Sequence, residues 1–346
     1  MTISRRAVLS GTSAAFAARV FASPKPASAQ SQQVIVGLWG GDYGDLMQKF
    51  VDQPLMAPQG VDVSQVIGDE DSRKTKLLAE SENRRGSMDI VFLGDDDMYL
   101  MSSQGVFDEV SPGKVSRLSA VKPALRKPYS VPHITSYRVI LYNSERVSAP
   151  PRSYAELGDP KWRGRVGLSD GLYFENIQSA ALAAGGKASD LELAKLKLAE
   201  WRDRDMKIYP SNEAIADALK SGEIWITIMW LSRGFMWQKA SLPLKAVIPA
   251  EGAAPVAFEA AVPKNARNKE AAWRYLNALL DPGAQAGFAD RMGYLPTVTD
   301  ARLPAGMEAQ LDLQKGGEIE LLTQDYPSLM RIQGAALDFW NKQFKR

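Results

Sequence analysis

The chain has 346 residues, 45% hydrophobic and 24% charged, with a net charge of +2, a single histidine and no cysteine. That balance excludes charge-driven attraction to nucleic acid or a membrane surface, a thiolate nucleophile or metal site, and disulfide stapling, so stability has to come from the size of the core. Beyond an N-terminal leader roughly 300 residues remain, enough for two ordinary domains.

The leader comes first in chain order. Ser4-Arg5-Arg6 precedes a mild apolar stretch from Ala7 to Phe21, which ends in Ala27-Ser28-Ala29. Paired arginines, a short apolar middle and a small-x-small ending are the parts of an export signal. Ser10, Gly11, Thr12, Ser13 and Arg19 make the stretch too polar and too short to anchor in a bilayer. The Arg pair and Lys25 resemble a twin-arginine signal. Residues 1–29 are therefore expected to be removed, with the mature chain beginning near Gln30 outside the cytoplasm.

Val34 to Trp39 then reads as a strand, Gly40-Gly41 as a turn, and Leu46, Met47, Phe50 and Val51 as one face of a helix. Val61 to Ile67 reads as a strand, followed by a helix capped by Asp71 and carrying Leu77 and Leu78. Met88 to Leu93 is a continuous apolar strand of the buried parallel kind, with Gly94-Asp95-Asp96-Asp97 at its carboxyl end. Three strand–turn–helix units in a row predict an α/β layer. After the long β-rich segment Ile134 to Asn143, a second series follows. Its strands are Arg165–Leu168, Lys207–Tyr209, Ile224–Trp230, Leu244–Ile248 and Val256–Val262. Its helices are Glu175–Ala184, Leu191–Trp201 and Glu213–Leu219. Lys269–Leu280 and Ala284–Arg291 are helices broken by Asp281-Pro282-Gly283, and a last helix starts near Ser328.

Open α/β sheets hold ligands where loops converge at the carboxyl ends of strands. Here those ends read Trp39-Gly40-Gly41, Gly94-Asp95-Asp96, Ser169-Asp170-Gly171 and Trp230-Leu231-Ser232. His133 follows Pro132 at the start of the apolar run Ile134 to Tyr142 and is expected to be a packed or solvent-edge histidine. One imidazole and no thiolate make a poor zinc set. Neither a metal nor a cofactor is expected.

The segments VIVGLWGGDYGDLMQKF, MDIVFLGDDDMYLMSSQGVFDEV, YSVPHITSYRVILYNSERV, SYAELGDPKWRGRVGLSD, AVPKNARNKEAAWRYLNALLDP and MGYLPT carry a resemblance. Through them the chain resembles the periplasmic solute-binding proteins of ABC importers (extracellular solute-binding family 1), nearest the spermidine/putrescine-binding branch. The resemblance implies the two-lobe, type II periplasmic-binding fold, each lobe a mixed sheet flanked by helices, with a ligand cleft between them. It implies crossings near Ser136–Val139, Val256–Phe258 and Val298–Ala301. The lobes would be discontinuous: 30–136 with 258–300, and 137–257 with 301–346. It also implies a non-enzymatic monomer that captures a small polar solute and delivers it to the transmembrane subunits of an ABC permease.

A polyamine needs carboxylates for its ammonium ends and aromatic faces for its methylenes. Asp95, Asp96 and Asp170 are the candidate carboxylates, and Trp39, Tyr173 and Trp230 the candidate faces, with Gly40 beside Trp39. By resemblance, Trp39 falls at a stacking position, Asp170 at an ammonium-binding position and Trp230 at a cleft tryptophan. Core packing and helix capping are the competing roles for these residues. The family's Trp and Asp before Ala-x-Pro are replaced here by Val256 and Phe258, with Glu259 alongside as a shifted pair. Arg138 stands at the first crossing, where the family has a small residue, and Arg233 follows the Trp230 motif. A guanidinium fork suits a carboxylate rather than a bare cation. The alternative solute is therefore zwitterionic or anionic, an amino acid or opine-like conjugate held by Arg138. An inter-lobe salt bridge is the structural alternative for that residue. The different-class alternative is an exported hydrolase or lyase using the cleft carboxylates. The ferric-iron branch of the family uses paired tyrosines, and no adjacent Tyr pair is present.

Overall fold

A computed structural model describes residues 32–303 and 321–345; the leader read at 1–29 lies outside them. β1 (Gln32–Leu38) runs parallel to both β2 (Val61–Ile67) and β3 (Ile90–Gly94). Helices α1 (Asp42–Met47), α2 (Glu70–Ala79) and α3 (Asp95–Ser103) follow these three strands. The turn after α1 continues as a wider π-type stretch over Gln48–Met56, around Pro54. The cap of α2 is Asp69, not Asp71: the Asp69 carboxylate accepts from the Ser72 N–H at 2.7 Å, while Asp71 points outward to pair with Lys74. The sequence offers acids at 69, 70 and 71, and only the extended backbone at Asp69 aims a side chain at the free amides.

β4 (Val131–Asn143) organises everything after this. All thirteen of its residues are buried. Its first half pairs antiparallel with β9 (Pro255–Ala261) and the short β10 (Leu295–Pro296). Its second half, from Arg138, pairs antiparallel with β7 (Ile226–Trp230), and from Ile140 also with β8 (Leu244–Val247). β7 pairs parallel with β5 (Val166–Ser169), which pairs parallel with β6 (Lys207–Tyr209). The resulting mixed sheet has the order β2-β1-β3-β9-β4-β7-β5-β6, with β8 and β10 added on β4.

The second series adds α4 (Tyr173–Ala183), α5 (Leu191–Asp203) and α6 (Asn212–Ser221). It also contains a helix the sequence did not announce, α7 (Leu231–Lys239). No polar side chain caps α7; it starts directly from the end of β7, so the stretch from Leu231 reads locally as a loop. α8 (Lys269–Leu279) and α9 (Pro282–Met292) are separated by Asp281, which caps α9. The C-terminal helix Tyr326–Phe339 starts on an Asp325 cap.

Two large cores flank the middle of the sheet. One gathers Val34, Val36, Phe92, Ile134, Tyr275, Leu276 and Phe288; the other gathers Ile140, Tyr154, Leu168, Ile177, Trp201, Ile228 and Trp340. β4 is the only strand among these that contributes to both, because its residues on either side of Arg138 face different partners. His133 is fully buried in the first core, its Nδ1 2.8 Å from the Tyr43 hydroxyl and its ring 4.5 Å from that of Phe288. Burial pushes its pKa down to about 3, so it is a neutral packing residue.

Candidate functional site

A cavity lies where the carboxyl ends of β3 and β7 meet the central strands β4 and β9. Its walls are Asp95 and Asp96 from the start of α3, Arg138 from β4, Phe174, Glu175 and Gln178 from α4, and Trp230 from the end of β7. Pro255 and Val256 of β9, together with Gln324, Tyr326 and Leu329 at the start of the C-terminal helix, complete it. Its volume is about 50 Å3, and it opens to solvent. Strand-to-helix turns place the acids here: β3 is fully buried, so the first residue able to carry charge is the one that opens α3. A carboxylate there is also stabilised by the helix N-terminus.

The electrostatics of this cavity are those of crowded acids. Asp95 is 6% exposed. Burial pushes its pKa up, against the pull of Lys127 and a hydrogen bond from Tyr326, whose hydroxyl donates to Asp95 Oδ2 at 2.6 Å. Asp96 is raised to about 6 by burial and by its acidic neighbours Asp95 and Asp97. Glu175 is raised to about 7 by burial, although Arg138 pulls the other way. Each shift has the same origin: these carboxylates are desolvated and lie near one another.

Arg138 is 1% exposed and spans the cavity wall. Its Nη1 donates to the Glu175 carbonyl and to Ser179 Oγ (3.2 Å), and its Nη2 donates to Gln178 Oε1 at 3.0 Å. Its Nε is buried without a partner. Its guanidinium lies 5.9 Å from the Trp230 ring. Arg138 is thus anchored on α4 through neutral acceptors, rather than in the inter-lobe salt bridge considered from the sequence.

Other residues singled out from the sequence lie elsewhere. Trp39 packs edge-on against Tyr43 (5.2 Å) and Phe258 (4.9 Å), and the Arg73 guanidinium covers its ring at 4.6 Å. Gly40 abuts Ile67, which would leave a Cβ only 2.6 Å from Ile67 Cγ2. Phe258 joins this aromatic cluster, 5.4 Å from Tyr294. These side chains extend the first core and do not line the cavity. Asp170 accepts from Trp340 Nε1 at 2.7 Å and from Lys345 Nζ at 2.5 Å. Those two partners outweigh burial and hold its pKa below the ordinary value. Tyr173 packs toward Phe174 and Trp340. Glu259, 1% exposed, is paired with Lys127 at 2.6 Å and accepts from Ser130 Oγ at 2.6 Å. It lines a neighbouring cavity rather than this one.

Sequence reasoning did not reach Glu175, Gln178 and Tyr326. In the sequence Glu175 reads only as the start of a helix. Its signal was available: it lies five residues beyond Asp170, at the amino end of the helix that follows a candidate strand end.

The sheet topology and the two cores define a mixed-sheet α/β protein. The chain belongs to the bacterial extracellular solute-binding protein family, whose model matches residues 49–315. It is similar to the spermidine/putrescine-binding periplasmic protein of Escherichia coli (strain K12). The two are 26% identical over 237 residues, which cover 65% of this chain and 67% of that relative. The spermidine/putrescine ABC transporter substrate-binding protein PotD of Streptococcus pneumoniae shares the fold, with a TM-score of 0.73 and 18% identity over 91% of this chain and 99% of that one. So does a GABA receptor of solved structure, with a TM-score of 0.75 and 21% identity over 90% and 97%. No helix among the described residues is long and apolar enough to cross a membrane.

Proposed function

We propose that this protein is the periplasmic substrate-binding component of an ABC importer, and that its solute is a small amine. The observation that carries this reading is the convergence of Asp95, Asp96 and Glu175 on one cavity beside the Trp230 ring. Carboxylates that are crowded and desolvated gain most from a bound ammonium, and the ring face adds cation–π attraction. The polyamine-binding names of the curated relatives agree with an amine.

The mechanism proposed is capture without covalent chemistry. The two lobes, 30–136 with 258–300 and 137–257 with 301–346, hinge about β4 and β9. Asp95 and Asp96 belong to the first lobe; Glu175, Arg138 and Trp230 belong to the second. A ligand touches both sets only when the lobes are closed, so it shifts the equilibrium toward closure, and the permease reads the closed pair of surfaces. Export by the twin-arginine route and a monomeric state complete the proposal.

A second reading has its own support. The buried Nε of Arg138 has no partner, and a buried donor left unmet costs about 1–3 kcal/mol. A ligand carboxylate there would make the solute an amino acid. A matched four-carbon series tests both readings by calorimetry and thermal shift: butylamine, 4-aminobutyrate, putrescine and butyrate. At about a hundred times its Kd, a true ligand stabilises the fold by about 2.7 kcal/mol. Silence from the three amines, with a shift from butyrate, refutes the amine. Tighter binding of 4-aminobutyrate than of butylamine, lost in Arg138→Met while butylamine is spared, establishes the carboxylate contact. Recovery of the ligand unchanged after prolonged incubation separates capture from hydrolysis.

A further inference from the structure

We propose that Lys127 is a built-in ammonium occupying a second cation subsite next to the cavity, and that it thereby limits the protein to solutes with one ammonium group. This rests on the amine reading above and narrows it to monoamines and amino acids, against diamines and polyamines.

The subsite is recognisable by its chemistry. Lys127 Nζ sits 2.6 Å from Glu259 Oε1 and donates to the Tyr326 hydroxyl at 3.2 Å. It lies 4.5 Å from the Tyr326 ring centroid and 5.9 Å from that of Tyr129. Ser130 Oγ fixes the other oxygen of Glu259. A carboxylate and two ring faces around an ammonium is what a receptor offers a free amine. Here the guest is tethered to the chain.

Its location gives it a role in selectivity. Asp95 and Tyr326, hydrogen-bonded to each other, line both the solute cavity and the adjoining cavity of about 280 Å3 that Lys127 and Glu259 line. The two spaces therefore share this wall. A diamine with one end among Asp96 and Glu175 would direct its other end toward Asp95 and meet Lys127 behind it. Burial draws the lysine toward neutrality, but Glu259 and Asp95 more than offset that and keep it charged. Two ammonium groups in one partly buried space repel strongly. Glu259, the acid that would have held a second ligand ammonium, is already neutralised. What remains on the solute cavity is Asp95, Asp96 and Glu175 against Arg138.

Butylamine, 4-aminobutyrate and putrescine share a four-carbon chain and differ only at one end. Titration calorimetry on the mature protein should find putrescine weaker than butylamine by about tenfold or more. Lys127→Met opens the subsite with Glu259 still charged. Putrescine affinity should rise by at least about tenfold, while butylamine changes by less than about threefold. If the bare Glu259 unfolds that variant, Lys127→Met/Glu259→Gln carries the test, and putrescine should still gain about threefold or more over wild type once the repulsion is removed. Equal wild-type affinity for putrescine and butylamine, or a ratio unmoved in whichever variant folds, overturns the inference while leaving the amine reading intact. Failure of wild type to bind any of the three overturns both.

Discussion

Amine binding should be coupled to proton release, and Glu175 sets the size of the effect. With a pKa near 7, Glu175 is about one-tenth ionised at pH 6 and about nine-tenths at pH 8. Asp96, near 6, is about half ionised at pH 6 and adds about a factor of two. The charges facing Glu175 are Arg138, which favours its ionisation, and Asp96 and Asp95, which oppose it. An ammonium that requires both acids ionised should therefore bind about ten to twenty times more tightly at pH 8 than at pH 6. The sign is opposite for the empty protein. These carboxyls hold their protons more tightly folded than unfolded, so their own contribution to unliganded stability is full below the ordinary carboxylate range and is lost as pH rises toward 7. Calorimetry with butylamine at pH 6, 7 and 8, in buffers of different ionisation enthalpy, reads both the affinity and the protons released. Glu175→Gln should remove most of the slope. A flat wild-type profile, or an unchanged slope in Glu175→Gln, would refute the coupling.

Three further outcomes follow from the packing. Trp39→Ala should lower stability by about 2 kcal/mol while changing butylamine affinity by less than about threefold, because the ring packs on Phe258 and Arg73 outside the cavity; a large loss of affinity in calorimetry would return Trp39 to the site. Asp170→Asn should leave amine affinity unchanged and lower the melting temperature, since its partners are Trp340 and Lys345; weakened binding at full stability would contradict that placement. Gly293→Ala should cost about 2 kcal/mol or more in denaturant melts, because φ is 72° there and a Cβ would lie 2.6 Å from Phe235 Cδ1; a neutral effect would mean that α7 and α9 yield easily at that contact.

Local pattern was enough for most of the elements. The apolar run before Gly94, the Asp-Pro-Gly break between α8 and α9, and the alternating or continuous apolar strands express periods of two and 3.6 within a few residues, and such periods are readable in a linear string. The acids at the end of β3 were legible for the same reason: a buried strand must stop before charge begins, and Asp95 and Asp96 do line the cavity. Arg138 and Trp230 were singled out by the first crossing and the strand end that the family resemblance implies, and the structure places both on the wall of this cavity.

Tertiary structure decided which of the charged and aromatic candidates were already taken. Asp170 is claimed by Trp340 and Lys345 at the far end of the chain, Glu259 by Lys127, and Trp39 by Phe258 and Arg73. A carboxylate or a ring looks the same in the sequence whether its partner is a solute or another side chain, since burial and pairing depend on neighbours brought close only by folding. Glu175 and Tyr326 came to line the cavity by that same route. Sequence alone therefore determined which kinds of polar and aromatic groups the chain carries, and the packed chain determined which of them pair with one another and which line the cavity.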